Sequence, residues 1–155
     1  MEITSLIEEG VEGDVPSPEW LRKVVEQTLV LEGASPSAEV SLLIAGQDRV
    51  HGLNRTFLGE DRPTDVLSFP MLSAAGDQAG FVSPPDGLVH LGEVIISFPQ
   101  AVIQAAEHRH SARREIAVLT IHGVLHLLGY DHDVPEAERV MKVRERQILE
   151  KIQDS

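Results

Sequence analysis

The stretch IAVLTIHGVLHLLGYDH, residues 116–132, decides the fold of this chain. As far as Leu128 its only polar side chains are Thr120, His122 and His126. A helix that is apolar nearly all round is expected to lie buried at the centre of a protein. The two histidines are four positions apart, so their rings project side by side from one helical face. The segment therefore predicts a central helix that presents a pair of imidazoles.

A third histidine follows this helix. Gly129 permits a turn with positive φ, which folds the chain back and brings His132 toward His122 and His126. Three imidazoles that leave one position open are the donor set of a catalytic zinc site. A buried imidazole without partners costs roughly 1–3 kcal/mol, and metal ligation removes that cost while the rings stay neutral. We therefore expect one metal ion per chain on these three histidines, rather than core histidines bonded to the backbone.

Patterns along the rest of the chain indicate an α+β fold. Apolar alternation predicts strands at residues 2–7, 40–44, 66–69 and 88–97. Helical spacing and capping residues predict helices that begin after Ser17, Asp48, Ser111 and near Pro99 and Pro135. Residues 71–87 are rich in Ala, Gly, Ser and Pro, which is typical of a long loop. Because the strands mostly precede the paired helices, we expect a small mixed sheet with helices packed on it.

The composition limits the class of protein. At 155 residues the chain fits a single domain over residues 1–155. It contains no cysteine, so a metal has to be held by histidine, carboxylate or water. The N-terminus resembles no signal peptide, and the longest apolar stretch, residues 116–128, is too short to span a bilayer. We therefore expect a cytoplasmic protein without a membrane partner.

The net charge of −12, from 13 basic and 25 acidic residues, bears on possible partners. An acidic surface repels phosphate backbones at long range, so an RNA enzyme of this composition needs a local basic patch or a partner that delivers its substrate. The densest basic cluster contains His108, Arg109, His110, Arg113 and Arg114. These residues either face phosphates near the metal or form a solvated helix end.

The histidine spacing H-x-x-x-H-x-x-G-x-x-H is also that of metzincin peptidases. In those enzymes a general-base glutamate follows the first histidine, whereas Gly123 stands at that position here. Loss of a general base typically costs 10²- to 10⁴-fold in rate, so a metallopeptidase of zincin type is the alternative rather than the main hypothesis. A binding protein with a structural metal is a third possibility, with Asp131 or Asp133 as a fourth ligand.

Three blocks of sequence resemble the YbeY family of bacterial endoribonucleases, which act in ribosomal RNA maturation and ribosome quality control. The run HGVLHLLGYDH, residues 122–132, is similar to the family signature HGxLHLxGYDH. Residues 61–70, DRPTDVLSFP, resemble its PTDVLSFP segment. Residues 91–97, LGEVIIS, resemble its LGDIxIS strand, with Glu93 in place of the commoner aspartate. The order and spacing of the blocks agree over roughly residues 40–150.

This resemblance implies a zincin-like α+β fold, a zinc-type ion on the three histidines and hydrolysis of single-stranded or ribosomal RNA. The partners would then be RNA and ribosomal or other delivery proteins. One departure concerns phosphate binding: the family usually carries an arginine after the aromatic residue of an N-x-x-[YF]-R segment, where Leu58 follows Phe57 here. Either Arg55 or Arg62 takes over that role, or the activity is reduced.

The catalytic roles follow from the absence of a glutamate at position 123. A bound zinc ion lowers the pKa of its water to about 7, and that water would act as the nucleophile or as a base toward a ribose 2′-OH. Asp65 and Asp131 are candidate proton acceptors or ligand orienters, with Arg62 and His122 completing the catalytic set. Alternatively, Asp131 fixes the turn before the third histidine and Asp65 caps a strand. Glu115, two turns before His122, is expected to pair with a neighbouring arginine.

Overall fold

A four-stranded mixed sheet forms the frame of the molecule. The computed structural model describes residues 1–71, 87–131 and 133–153. The strands lie in the order β1-β2-β4-β3. Their bounds are Glu2–Ile7 for β1, Ala38–Ala45 for β2, Val66–Pro70 for β3 and Val89–Ser97 for β4. Strand β2 pairs in parallel with both β1 and β4, whereas β3 is antiparallel to β4. The small mixed sheet predicted from the sequence is confirmed.

Five helices lie in the described parts of the chain. Their bounds are Pro18–Leu31 for α1, Gln47–Leu58 for α2, Phe98–Glu107 for α3, Ala112–Leu127 for α4 and Pro135–Gln153 for α5. Helices α1 and α2 are interleaved with the strands, because parallel neighbours such as β1 and β2 require a crossover connection. The three later helices follow β4 without interruption by another strand. The α+β class is confirmed.

Most helix boundaries agree with the capping residues in the sequence. The Trp20 amide donates to the Ser17 hydroxyl at 3.2 Å, and the Arg114 amide donates to the Ser111 hydroxyl at 3.1 Å. The predicted cap at Asp48 is wrong, because Gly46 is the N-cap of α2 and Asp48 lies in the first turn. An acidic residue there still interacts favourably with the positive end of the helix dipole.

Helix α4, which carries the histidine pair, is the central helix. It packs against β3 and β4 and contacts α1, α3 and α5. The side chains of Ile116, Ile121, Val124 and Leu125 are fully buried, which confirms the burial predicted for this segment. Burying one such side chain stabilises the fold by about 1.5–3 kcal/mol, so α4 anchors the core.

Two sequence predictions lie largely or wholly outside the described residues. Most of the predicted loop at residues 71–87 falls in the range 72–86, and His132 lies between the second and third described segments. Within the parts of the chain that the structure describes, no helix is long and apolar enough to cross a membrane.

Candidate metal centre

The two helical histidines lie side by side on α4. The ring centroids of His122 and His126 are 4.7 Å apart, and their planes meet at 69°. Both residues are half-buried, whereas the residues between them are buried. The helix thus turns its apolar faces to the core and brings both imidazoles to the boundary with solvent, where a ligand has access to them.

Helix α5 supplies a carboxylate to this pair. Glu145 Oε1 lies 2.5 Å from His122 Nδ1, and the two residues are 23 positions apart in the sequence. They line a cleft of about 90 Å³ together with Glu138, Met141 and Lys142. A carboxylate that accepts a hydrogen bond from one ring nitrogen fixes the tautomer and makes the other nitrogen the metal-binding one. This arrangement is the usual environment of a metal-ligating histidine.

Glu145 is not among the site residues predicted from the sequence. In the sequence it belongs to an amphipathic helix of mixed charge, where a glutamate is expected to be solvated. Nothing local marks it as different from its charged neighbours. Only the packing of α5 against α4 brings its carboxylate to His122.

Gly123 is required by the packing of α4 on the sheet. A Cβ atom at this position would lie 2.5 Å from Val94 Cγ1 and 3.3 Å from Ser68 Oγ. The Ser68 hydroxyl also donates to the Gly123 carbonyl at 3.2 Å. The position therefore faces β3 and β4, away from solvent. A glutamate could not replace Gly123 without displacing the Val94 side chain, so position 123 does not accommodate the general base of the metzincins.

Asp65 and Asp131 both make local hydrogen bonds. Asp65 Oδ1 accepts from the Val66 amide at 2.8 Å and from the Thr64 hydroxyl at 3.3 Å, as a cap at the start of β3 does. Asp131 Oδ1 accepts from the Asp133 amide at 3.2 Å. These bonds fit the structural alternatives given for the two residues. Their catalytic roles stay predictions.

The candidate phosphate-binding arginines lie near the end of α2. Arg62 pairs with Glu60 at 3.0 Å, and both side chains are more than half exposed. The backbone carbonyl of Arg62 accepts from the amide group of the buried Asn54 at 2.9 Å, which ties this loop to the helix. Arg55 and Leu58 are exposed on the same helix. Both arginines are thus accessible to a ligand from solvent.

The basic cluster around residues 108–114 is engaged in specific contacts. Glu115 Oε1 lies 3.0 Å from His108 Nδ1 and 2.6 Å from His110 Nε2, so its partners are histidines rather than the expected arginine. The guanidinium of Arg113 stacks over the Trp20 ring at 4.5 Å. The hydrogen bond to Glu115, and then the charge of that carboxylate, raise the pKa of His108 above its ordinary value, against a smaller opposing effect of desolvation.

Known proteins are similar to this chain in sequence and in fold. The sequence model of the family described as Endoribonuclease YbeY matches residues 11–153. An Endoribonuclease YbeY from Dehalococcoides mccartyi is 48% identical over 149 residues, covering 92% of this chain and 84% of the relative. One from Roseiflexus castenholzii is 48% identical over 130 residues, covering 83% and 79%. The solution structure of TM1509 from Thermotoga maritima shares the fold with a TM-score of 0.62 at 24% identity, over 97% of this chain and 88% of that one.

The fold gives the structural class of this chain, and the comparisons give its family. The class is α+β, with a histidine-bearing helix packed on a small mixed sheet. The chain belongs to the YbeY endoribonuclease family, since the family match covers most of its length and its relatives are nearly half identical. The resemblance identified from the three sequence blocks is confirmed.

Proposed function

We propose that this chain is a metal-dependent endoribonuclease, a hydrolase that cleaves single-stranded or ribosomal RNA and contributes to rRNA maturation and ribosome quality control. The observation that carries the proposal is the pair His122 and His126, with rings 4.7 Å apart on a buried helix of a YbeY-family chain. We take residues 1–155 as one catalytic domain, and its RNA substrates would place its action in the cytoplasm.

The donor set fits a zinc-type ion. The two imidazoles at the edge of the core, one of them contacted at Nδ1 by Glu145, are donors of the type that a borderline cation prefers. His132 is the proposed third ligand, and the proposed occupancy is one Zn²⁺ per chain. When bound, such an ion supplies a Lewis acid and lowers the pKa of a coordinated water to about 7.

The protein's own residues orient the ligands and receive the proton. Glu145 holds the ring of His122 in one tautomer. Asp131 has a proposed role in holding the chain beside the third histidine, since its carboxylate accepts from the Asp133 amide. Asp65 and Asp131 are the proposed proton acceptors in place of the missing glutamate. The cleavage products distinguish the two possible attacking groups, water and a ribose 2′-OH. A 2′,3′-cyclic phosphate indicates attack by the ribose hydroxyl.

Arg62 is the proposed phosphate contact, with Arg55 as its alternative. The exposed ion pair of Arg62 with Glu60 contributes little to stability, because such surface pairs are worth about 0–1 kcal/mol. An incoming phosphate can therefore displace Glu60 at little cost. Because the net charge is −12, binding depends on such local cations or on a ribosomal or other protein that delivers the RNA.

The metallopeptidase alternative is disfavoured by the packing at Gly123. A general base at that position would have to occupy space filled by Val94 and Ser68. The alternative of a structural metal predicts a different result when the ion is removed, because loss of a structural ion unfolds its domain.

The direct test is RNA cleavage by purified wild type, His126→Ala and a matched histidine control, His90→Ala. His90 pairs with Glu39 where β4 begins and has no part in the proposed site. We expect wild type and His90→Ala to cleave, with activity removed by EDTA and restored by Zn²⁺, and His126→Ala to stay folded and inactive. Full cleavage by His126→Ala would reject the proposal. Cleavage of casein without cleavage of RNA would favour the peptidase.

A further inference from the structure

A second group of metal-binding side chains lies where α3 meets α4. His108 and His110 each offer a ring nitrogen and Glu115 a carboxylate oxygen, and these three donor atoms lie within 4.8 Å of one another. The Glu115 side chain is 4% exposed, although it carries a charge, while His108 is 58% exposed and His110 22%. The donors therefore surround a point that is closed on the carboxylate side and open to solvent on the His108 side.

The backbone between the two helices is shaped to bring these rings together. Helix α3 ends at Glu107, His108 is its C-cap, and Arg109 adopts a φ of 57°. A left-handed conformation in a residue with a Cβ atom costs of order 1–3 kcal/mol and persists where the surroundings require it. This turn places the rings of His108 and His110 5.5 Å apart on one carboxylate.

We propose that His108, His110 and Glu115 form a second metal site, separate from the site of RNA cleavage, that takes a zinc-type divalent transition ion. Two imidazole nitrogens and one carboxylate oxygen suit Zn²⁺, Co²⁺ or Ni²⁺, whereas Mg²⁺ and Ca²⁺ prefer oxygen donors throughout. Water completes the coordination from the exposed side.

The distances require only small adjustments. Bonds of about 2.0–2.1 Å in a tetrahedral site place donor atoms roughly 3.3 Å apart. The two histidine–carboxylate distances are 3.0 and 2.6 Å, and no donor pair exceeds 4.8 Å. To reach that spacing the His110–Glu115 contact of 2.6 Å has to lengthen slightly, and rotation of the exposed His108 side chain adjusts the remaining distances. Glu115 precedes His122 by seven residues, or about 10 Å along the helix, so one ion cannot serve both sites.

Such an ion would act as a clip between the two helices. It would join the end of α3 to the first turns of α4 and neutralise the buried carboxylate without protonation of either imidazole. Without an ion, the same three side chains are held by the hydrogen bonds between the two imidazole rings and the Glu115 carboxylate. The two arrangements differ in whether added metal is taken up.

The test is the stoichiometry of Zn²⁺ and Co²⁺ binding to the chelator-treated full chain, measured by calorimetry and by the visible spectrum of bound Co²⁺. We expect two equivalents for wild type and one for His126→Ala. His108→Gln in the His126→Ala background should weaken the remaining equivalent roughly tenfold or more. This substitution leaves the His110–Glu115 contact intact, so circular dichroism should report an unchanged fold.

The matched control is His51→Gln, because His51 also pairs with a carboxylate, Asp61, at 2.7 Å but has no third donor within the described residues. We expect this variant to bind as tightly as its parent. A single equivalent in wild type that is lost in His126→Ala, or no effect of His108→Gln, would overturn the proposal and leave a hydrogen-bonded cluster. Because His108→Gln should retain RNA cleavage, failure of this site is distinguishable from failure of the proposed endoribonuclease.

Discussion

Helix α4 carries a histidine–glutamate group at each end, and the two groups are built differently. Near its C-terminal end, Glu145 reaches His122 from another helix and contacts one ring through Nδ1. At its N-terminal end, the buried Glu115 contacts both His108 and His110. A carboxylate behind a metal-ligating histidine orients that ligand. In the two proposals, Glu145 has this orienting role, whereas Glu115 is itself a ligand of the second ion.

The largest expected effect follows removal of a ligand from the C-terminal group. In His126→Ala the proposed catalytic ion loses one of three protein ligands, so we expect RNA cleavage to fall by roughly 10²-fold or more. The melting temperature should change little, since His126 is half-buried at the edge of the core. Single-turnover cleavage with circular dichroism checks this. Loss of cleavage together with unfolding would instead indicate a structural metal.

Replacement of the carboxylate that contacts His122 should have a smaller effect than the loss of His126. Glu145→Gln keeps the side-chain shape but weakens the orientation of the ring, and loss of such a partner typically lowers metal affinity 10- to 100-fold. Competition with a chelator measures the affinity. The control is Glu150→Gln, an exposed glutamate on the same helix, which should match wild type. Equal affinities for the two variants would show that Glu145 has no role in positioning.

The close packing beneath the C-terminal group can be tested by adding one methyl group. Gly123→Ala places a Cβ atom 2.5 Å from Val94 Cγ1, and overpacking of a core typically costs 1–3 kcal/mol. Against this, alanine in a helix is favoured over glycine by about 1 kcal/mol. We expect a lower free energy of unfolding in urea, with recovery when Val94→Ala is added. An increased free energy of unfolding for Gly123→Ala would show that the sheet accommodates the added methyl group.

The smallest effect should come from the start of α4, below the N-terminal group. Ser111→Ala removes the acceptor of the Arg114 amide bond, and loss of such a cap costs typically about 1 kcal/mol. Urea unfolding measures the change. Cleavage of RNA should stay at the wild-type rate, because the cap lies more than two turns from His122. A substantial loss of activity would mean that the two ends of the helix are coupled.

Local patterns were sufficient to predict much of this fold. Ser17 and Ser111 cap helices as expected because a cap depends only on the next three residues. The burial of α4 follows from its composition alone. Asp48 was misassigned because an acidic residue suits both the cap and the first turn, and the chain uses Gly46 as the cap.

Long-range contacts were beyond the reach of the sequence. The spacing of His122 and His126 predicted their shared face, but Glu145 reaches His122 only because α5 packs on α4. Glu115 finds histidine partners because a left-handed Arg109 turns the chain, and an arginine has no sequence preference for that conformation. Gly123 was recognised as a missing base, whereas its steric reason requires the position of Val94.

We propose that cleavage of RNA depends on an ion held by His122, His126 and His132. The most direct measurement is the rate of RNA cleavage by the chelator-stripped chain as Zn²⁺ is added, for wild type and His126→Ala in parallel. We predict that the stripped wild type is inactive and recovers with added Zn²⁺, while His126→Ala stays inactive at every concentration. Full cleavage by the stripped wild type, or equal recovery of the two proteins, would contradict this dependence on the bound ion.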